Sequence, residues 1–206
     1  MYRDKGILNK QKDNPAIIIT THLLLLCSIF CLLSCVSRES LGDKRHYVYL
    51  TDSSRFFLMP PQGIEEPIDM LQHISASYNN RDFFFNAWVK ADTTGIEMIL
   101  LNEMGASLGE LSYREGELVF NSSIFPASLR PEYIVADFQL CFYNPALLER
   151  SLEESGLTMI SSDNLQNHTR HIYEGNKLII EIEKSSNFIS LLNHLRGYTY
   201  TLEGVF

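Results

Sequence analysis

Apolar and polar residues alternate along much of this chain. Ile68, Met70, Ile74, Ala76 and Tyr78 fall on alternate positions and predict one long half-buried strand. Phe83 to Asp92 follows the turn-forming pair Asn79-Asn80, with Phe83, Phe84, Phe85 and Trp88 spread over both faces. A strand apolar on both faces predicts cover on both sides. Asp92 to Gly95 reads as a turn, Ile96 to Leu101 as a strand, Asn102 to Gly105 as a second turn and Ala106 to Arg114 as the next strand. Glu115-Gly116 then closes a hairpin into Leu118-Val119-Phe120. Together these segments predict an antiparallel meander.

The period changes at Pro131, which suits the first position of a helix, with Ser128 or Arg130 just before it and Glu132 in the first turn. Ile134, Phe138, Cys141 and Phe142 recur at helical spacing and give this helix one apolar face. Pro145 reads as an interruption, and Ala146 to Ser155 as a second helix ended by Gly156. Strands resume at Leu157 to Ile160, Thr169 to Tyr173, Leu178 to Lys184 and Gly197 to Glu203, with Glu174-Gly175-Asn176 as a hairpin turn. The fold class is therefore mainly β with an α insertion: an antiparallel half-barrel covered by one or two helices. Such a sheet either encloses an apolar ligand or fills its concave side with its own side chains, and the pattern leaves both open.

The N-terminus adds a location. Arg3, Lys5, Lys10 and Lys12 precede an apolar stretch from Ala16 to Leu33, which runs into Ser34-Cys35. This is the order of a bacterial lipoprotein signal peptide: a basic start, an inserting segment, a small residue, and a cysteine whose thiol takes a diacylglyceryl group. We expect residues 1–34 to be removed, 35–45 to form a lipidated cysteine with a short tether, and 46–206 to form the domain. Leu33 is bulky for its place, and Thr20, Thr21 and His22 interrupt the apolar run. An uncleaved anchor is the alternative, because about 20 apolar residues span a bilayer. Ten tether residues reach only about 35 Å, so the domain is expected close to its membrane.

Removing 34 of the 206 residues leaves 172, a single-domain length. The removed segment holds four of the 17 basic and two of the 25 acidic residues, so the remainder carries 13 against 23 and a formal charge of −10. That surface repels nucleic acid and anionic headgroups, which excludes a DNA or RNA partner and leaves membrane attachment to lipid and apolar contacts. Cys27 and Cys31 leave with the signal and Cys35 carries lipid, so Cys141 is the one ordinary cysteine and no intrachain disulfide forms. Its place in an apolar helical pattern reads as a small buried hydrophobe rather than a nucleophile.

Candidates for covalent chemistry are few. His168 and His171, three apart on a strand, point to opposite faces and do not share a metal. Asn193, His194 and Arg196 form a polar cluster before the last strand, but no Gly-x-Ser-x-Gly elbow accompanies them. His194 is better read as a turn cap or as a hydrogen-bonder to backbone at the barrel rim. Glu181 and Glu183 alternate with Ile180 and Ile182, the ordinary pattern of a solvated strand face. Neither a catalytic residue, a metal nor a cofactor is expected.

The stretch from Ile99 to Leu111, with its turn Asn102-Glu103-Met104-Gly105, resembles the strand-turn-strand of LolB, the outer-membrane receptor that accepts lipoproteins from the carrier LolA. Ser128-Leu129-Arg130 resembles the approach to the helical segment that covers the LolB barrel. The region from Phe83 to Phe206 is more similar still to an uncharacterised family of LolB-like bacterial lipoproteins, often encoded beside aryl-polyene or related fatty-acid-type synthesis genes. Asn86-Ala87-Trp88-Val89, the run from Pro131 to Asp137, and Asn193-His194 carry that similarity.

The resemblance implies a LolA/LolB-like half-barrel and a lipid-anchored protein of the outer membrane, facing the periplasm. Its partners would be an acyl lipid or lipoprotein client and a periplasmic LolA-like donor, with the protein itself a monomer. In LolB the leucine of the turn protrudes and puts lipoproteins into the membrane; here Met104 takes its place, with Glu103 in place of proline. Met104 is thus the expected membrane-insertion residue, its alternative being a side chain folded back on the sheet. If the half-barrel holds lipid, Phe85, Ala87, Val89, Met98, Leu100, Ile134 and Phe138 are its candidate lining; core packing explains each of them equally. A 16-carbon chain taken wholly from water gains roughly 12 kcal/mol, which is why such carriage requires a dry groove. A scaffold lipoprotein with a filled barrel, and an envelope hydrolase using His194, are the competing readings.

Overall fold

Strand alternation from Ile68 onward builds one antiparallel sheet of ten strands. The computed structural model describes residues 45–78, 80–122, 130–164 and 167–204. The signal, Cys35, the tether up to residue 44, Asn79, Ser128 and Leu129 lie outside them. Two three-residue strands, β1 (Tyr47–Tyr49) and β2 (Arg55–Phe57), pair as a separate hairpin. Five strands follow as a meander: β3 (Ile68–Tyr78), β4 (Arg81–Asp92), β5 (Gly95–Leu101), β6 (Ser107–Arg114) and β7 (Glu117–Ser122). Two helices, α1 (Pro131–Phe142) and α2 (Pro145–Glu154), precede the second meander. This comprises β8 (Thr158–Asp163), β9 (His168–Glu174), β10 (Lys177–Lys184), β11 (Phe188–Asn193) and β12 (Tyr198–Glu203).

The sheet order is β7-β6-β5-β4-β3-β12-β11-β10-β9-β8. The two meanders run outward from a shared centre, where the last strand returns beside the first: Tyr198 pairs with Tyr78 and Leu202 with Ile74. β7 and β8 are the two edges and do not meet, so the sheet is an open half-barrel with its helices inserted between the edge strands in chain order. Turn chemistry fits the hairpins. Glu115 and Gly116 both have positive φ, at 50° and 81°, as a two-residue turn matched to strand twist requires.

Most predicted elements stand where the pattern put them. The long strand is Ile68–Tyr78, and the first helix begins at Pro131 with Arg130 before it. Pro145 is not an interruption: it is the first residue of α2, and the Asn144 side chain caps that helix by accepting from the Ala146 and Leu147 amides. β11 and the β1–β2 hairpin are elements that the pattern did not indicate. The expectation that β4 is covered on both faces is overturned, since Phe84 is 67% and Trp88 51% exposed. The helices cover one face only.

Candidate functional site

The covered face of the sheet is assembled from alternate residues of neighbouring strands. On β4, Phe85, Ala87 and Val89 share one face. Leu100 and Met98 on β5 stand directly opposite Ala87 and Val89. The row continues across the centre through Ile74, opposite Phe85, and Leu202. Helix α1 lies over this surface and adds Ile134 and, one turn later, Phe138, whose ring stacks on Phe142 with centroids 4.6 Å apart.

All seven candidate lining residues therefore belong to one apolar cluster. Ala87, Val89, Met98, Leu100 and Phe138 are buried, and Phe85 and Ile134 are partly buried against them. In this conformation α1 fills the concave side. A cleft of about 300 Å³ lies at one end of the sheet, lined by Asp52, Tyr78, Leu195 and Arg196, and none of the seven residues contributes to it. The β1–β2 hairpin contributes Val48, Leu50, Phe56 and Leu58 to the same core.

Polar groups buried between α1 and its surroundings set the character of the cover. The Tyr198 hydroxyl on β12 donates to both carboxylate oxygens of Asp137 at 3.0 and 2.9 Å. Burial pushes the Asp137 carboxyl up to about 7, opposed by that hydrogen bond and by the Arg196 guanidinium. Arg170 on β9 donates to the Leu140 carbonyl at 2.7 Å and pairs with Glu65 at 3.5 Å. Gln139, fully buried, clasps the Met59 backbone from both sides: its Nε2 donates to the carbonyl at 2.7 Å and its Oε1 accepts from the amide at 2.9 Å. At the helix start Arg196 reaches the Tyr133 hydroxyl at 2.9 Å and also donates to the Tyr49 carbonyl. The Gln72 Nε2, buried on β3, has no hydrogen-bond partner among the described residues.

The remaining candidates lie elsewhere. Cys141 is buried 3.7 Å from the Tyr200 hydroxyl, and burial pushes its thiol up to about 12, so it stays protonated and poorly nucleophilic. His168 pairs with Asp163, while His171 and His194 both face Glu181, at 3.5 and 3.4 Å. The His194 side chain thus meets a carboxylate rather than backbone, and the turn is capped by Asn193, whose side chain accepts from the Arg196 amide at 2.8 Å. Met104 is 90% exposed at the tip of the β5–β6 turn, which Asn102 organises by accepting from the Met104 and Ala106 amides. Its side chain is not folded back on the sheet.

Sequence reasoning missed the Asp137–Tyr198 and Gln139–Met59 contacts. Their signal was there: Asp137 and Gln139 are two polar residues inside the otherwise apolar run from Ile134 to Phe142.

The fold and this surface define a class, an open antiparallel half-barrel whose concave apolar face is covered by a helix. The chain belongs to the family described as a protein of unknown function (DUF3261), whose model matches residues 69–205. That span takes in the sheet from Asp69, the second residue of β3, to the end of β12, with both helices. No curated protein matches the chain.

Proposed function

We propose that this protein is a lipoprotein anchored through Cys35 in the outer membrane, facing the periplasm, and that its half-barrel accepts an acyl chain as receptor or transfer factor for a lipid or lipidated client. The observation that carries this reading is that Phe85, Ala87, Val89, Met98 and Leu100 share one concave sheet face and meet Ile134 and Phe138 of the covering helix in a single apolar cluster. An acyl chain enters when α1 lifts, exchanging helix–sheet contacts for chain–sheet contacts of the same apolar kind. Asp137, Gln139 and Arg170 hold the closed helix by hydrogen bonds, and water that replaces those partners when the helix parts from the sheet offsets much of their loss. Release into the bilayer is aided by Met104, an exposed flexible apolar side chain. No covalent chemistry is required, and a periplasmic carrier resembling LolA would be the donor. Val36 after Cys35 is not the aspartate that retains some lipoproteins in the inner membrane, which favours outer-membrane sorting.

A scaffold lipoprotein with a permanently filled half-barrel is the second reading, favoured by the tight burial of Ala87 and Val89 beneath α1 and of Phe138 on it. One experiment separates the two. The domain from Ser37 onward is purified, and its bound lipid is measured by native mass spectrometry and solvent extraction. Stoichiometric acyl species support carriage; an empty protein that also fails to take up a fluorescent fatty acid supports the scaffold.

A further inference from the structure

β3 and β4 extend past β5, while β12 on the other side runs beside β3 as far as Tyr78. Pairing between β4 and β5 starts at Asn86, opposite Leu101, whereas β4 begins at Arg81. The projecting end of the β3–β4 hairpin carries Tyr78, Phe83 and Phe84, respectively 50%, 44% and 67% exposed. The β5–β6 turn with Met104 follows Leu101 directly and so lies at this same end of the sheet.

Large apolar side chains are not left in water in such a group without a reason. Phe83 and Phe84 are adjacent on a strand and point to opposite faces: Phe83 lies opposite Ala76, on the side of Phe85 and the core, and Phe84 lies opposite Ser75 on the outer side. A protein docked on either face would cover one ring and leave the other wet. A medium that surrounds the tip covers both, and the acyl boundary of a bilayer is such a medium, where aromatic side chains concentrate.

We infer that the projecting β3–β4 hairpin, through Tyr78, Phe83 and Phe84, is a membrane-inserting ridge that enters the bilayer surface beside Met104. The ridge rests on the membrane-anchored part of the reading above and not on the acyl groove. Two features set its depth. Arg81, Asp82 and Glu103 flank the rings as exposed charges, and among the described residues no strand pairs with the outer edge of β4 from Arg81 to Phe84. Backbone groups on such an edge are costly in hydrocarbon, so the rings stop at the headgroup–acyl boundary. With one basic and two acidic charges at the tip, insertion draws on apolar contact rather than on anionic lipid.

The test uses the full acylated chain reconstituted in phosphatidylcholine vesicles. Trp88 is the chain's single tryptophan, so Phe84→Trp in a Trp88→Phe background places one reporter on the ridge. Met104→Trp in the same background reports on the turn, and Val119→Trp on an exposed position of edge strand β7 serves as control. The expected result is a blue shift of the Phe84→Trp and Met104→Trp emission on vesicle binding, with loss of intensity from lipid brominated near the glycerol end and less loss from lipid brominated at the chain terminus. The Val119→Trp emission should not change. Protein that floats with vesicles while Phe84→Trp stays unshifted and unquenched would overturn the ridge and leave the anchor standing. Equal quenching of the Phe84→Trp and Val119→Trp reporters would also overturn it, and protein that fails to float would overturn both anchor and ridge.

Discussion

Tyr198 and Asp137 join the centre of the sheet to the helix that covers it, through a hydroxyl that meets both carboxylate oxygens at 3.0 and 2.9 Å. Tyr198→Phe removes the donor and leaves Asp137 buried without that partner, which should cost about 1–3 kcal/mol. Urea unfolding of the variant should show a lower midpoint with an unchanged slope.

The same carboxyl makes stability depend on pH. Burial holds Asp137 at about 7, above its ordinary value of 3.8, so between these values the folded protein binds a proton that the unfolded chain has released. Stability from this group therefore falls as pH rises from about 4 to about 7 and stays low above that. Asp137→Asn, neutral at every pH and of similar shape, should flatten this part of a denaturation-midpoint profile. Acyl uptake by the native protein should rise over the same window as the charged group loosens α1.

Gly63 lies under the ring of Tyr143. A Cβ at that position would stand 2.6 Å from the ring, which is fully buried and whose hydroxyl accepts from Gln139 at 3.2 Å. The ring has little room to give, so Gly63→Ala should destabilise the fold by about 1–3 kcal/mol in chemical denaturation.

Gln139→Met keeps the volume but withdraws both hydrogen bonds from the Met59 backbone. We expect a loss of about 2 kcal/mol, with faster amide exchange at Met59 as a local readout.

Phe138→Ala should cost about 3–5 kcal/mol through the cavity it leaves beneath α1. If the concave face accepts acyl chains, a fatty acid should restore part of the lost thermal midpoint in a concentration-dependent way, as ligand binding to the folded state requires. No restoration would place the fatty acid outside the cluster.

The meander from Ile68 to Phe120 and the Pro131 helix were legible because each has a sustained period and clear turn residues. β1 and β2, of three residues each, hold no period; they are fixed by the burial of Val48 and Phe56 in the core and by contacts across the hairpin, Arg55 over the Tyr47 ring at 4.6 Å and Arg45 over Phe57 at 4.4 Å. β11 is obscured because Leu192 breaks its alternation, being apolar yet exposed. Phe84 and Trp88 were read as covered because three successive phenylalanines do not reveal that the helices lie on one face, or that β5 ends opposite Asn86. The lining residues were found from alternation, but their closure under α1 depends on how the helix seats, which local sequence does not encode.

The central claim is that acyl chains occupy the concave face, and photo-crosslinking addresses it most directly. A fatty acid bearing a photoactivatable group near the chain end is bound to the protein, irradiated, and its attachment sites are read by peptide mass spectrometry. The account predicts labels on Val89 and Leu100 of the concave face and on Phe138 of the helix above it, competed away by unlabelled fatty acid. Labels confined to Phe84 and Met104, or no label at all, would contradict it.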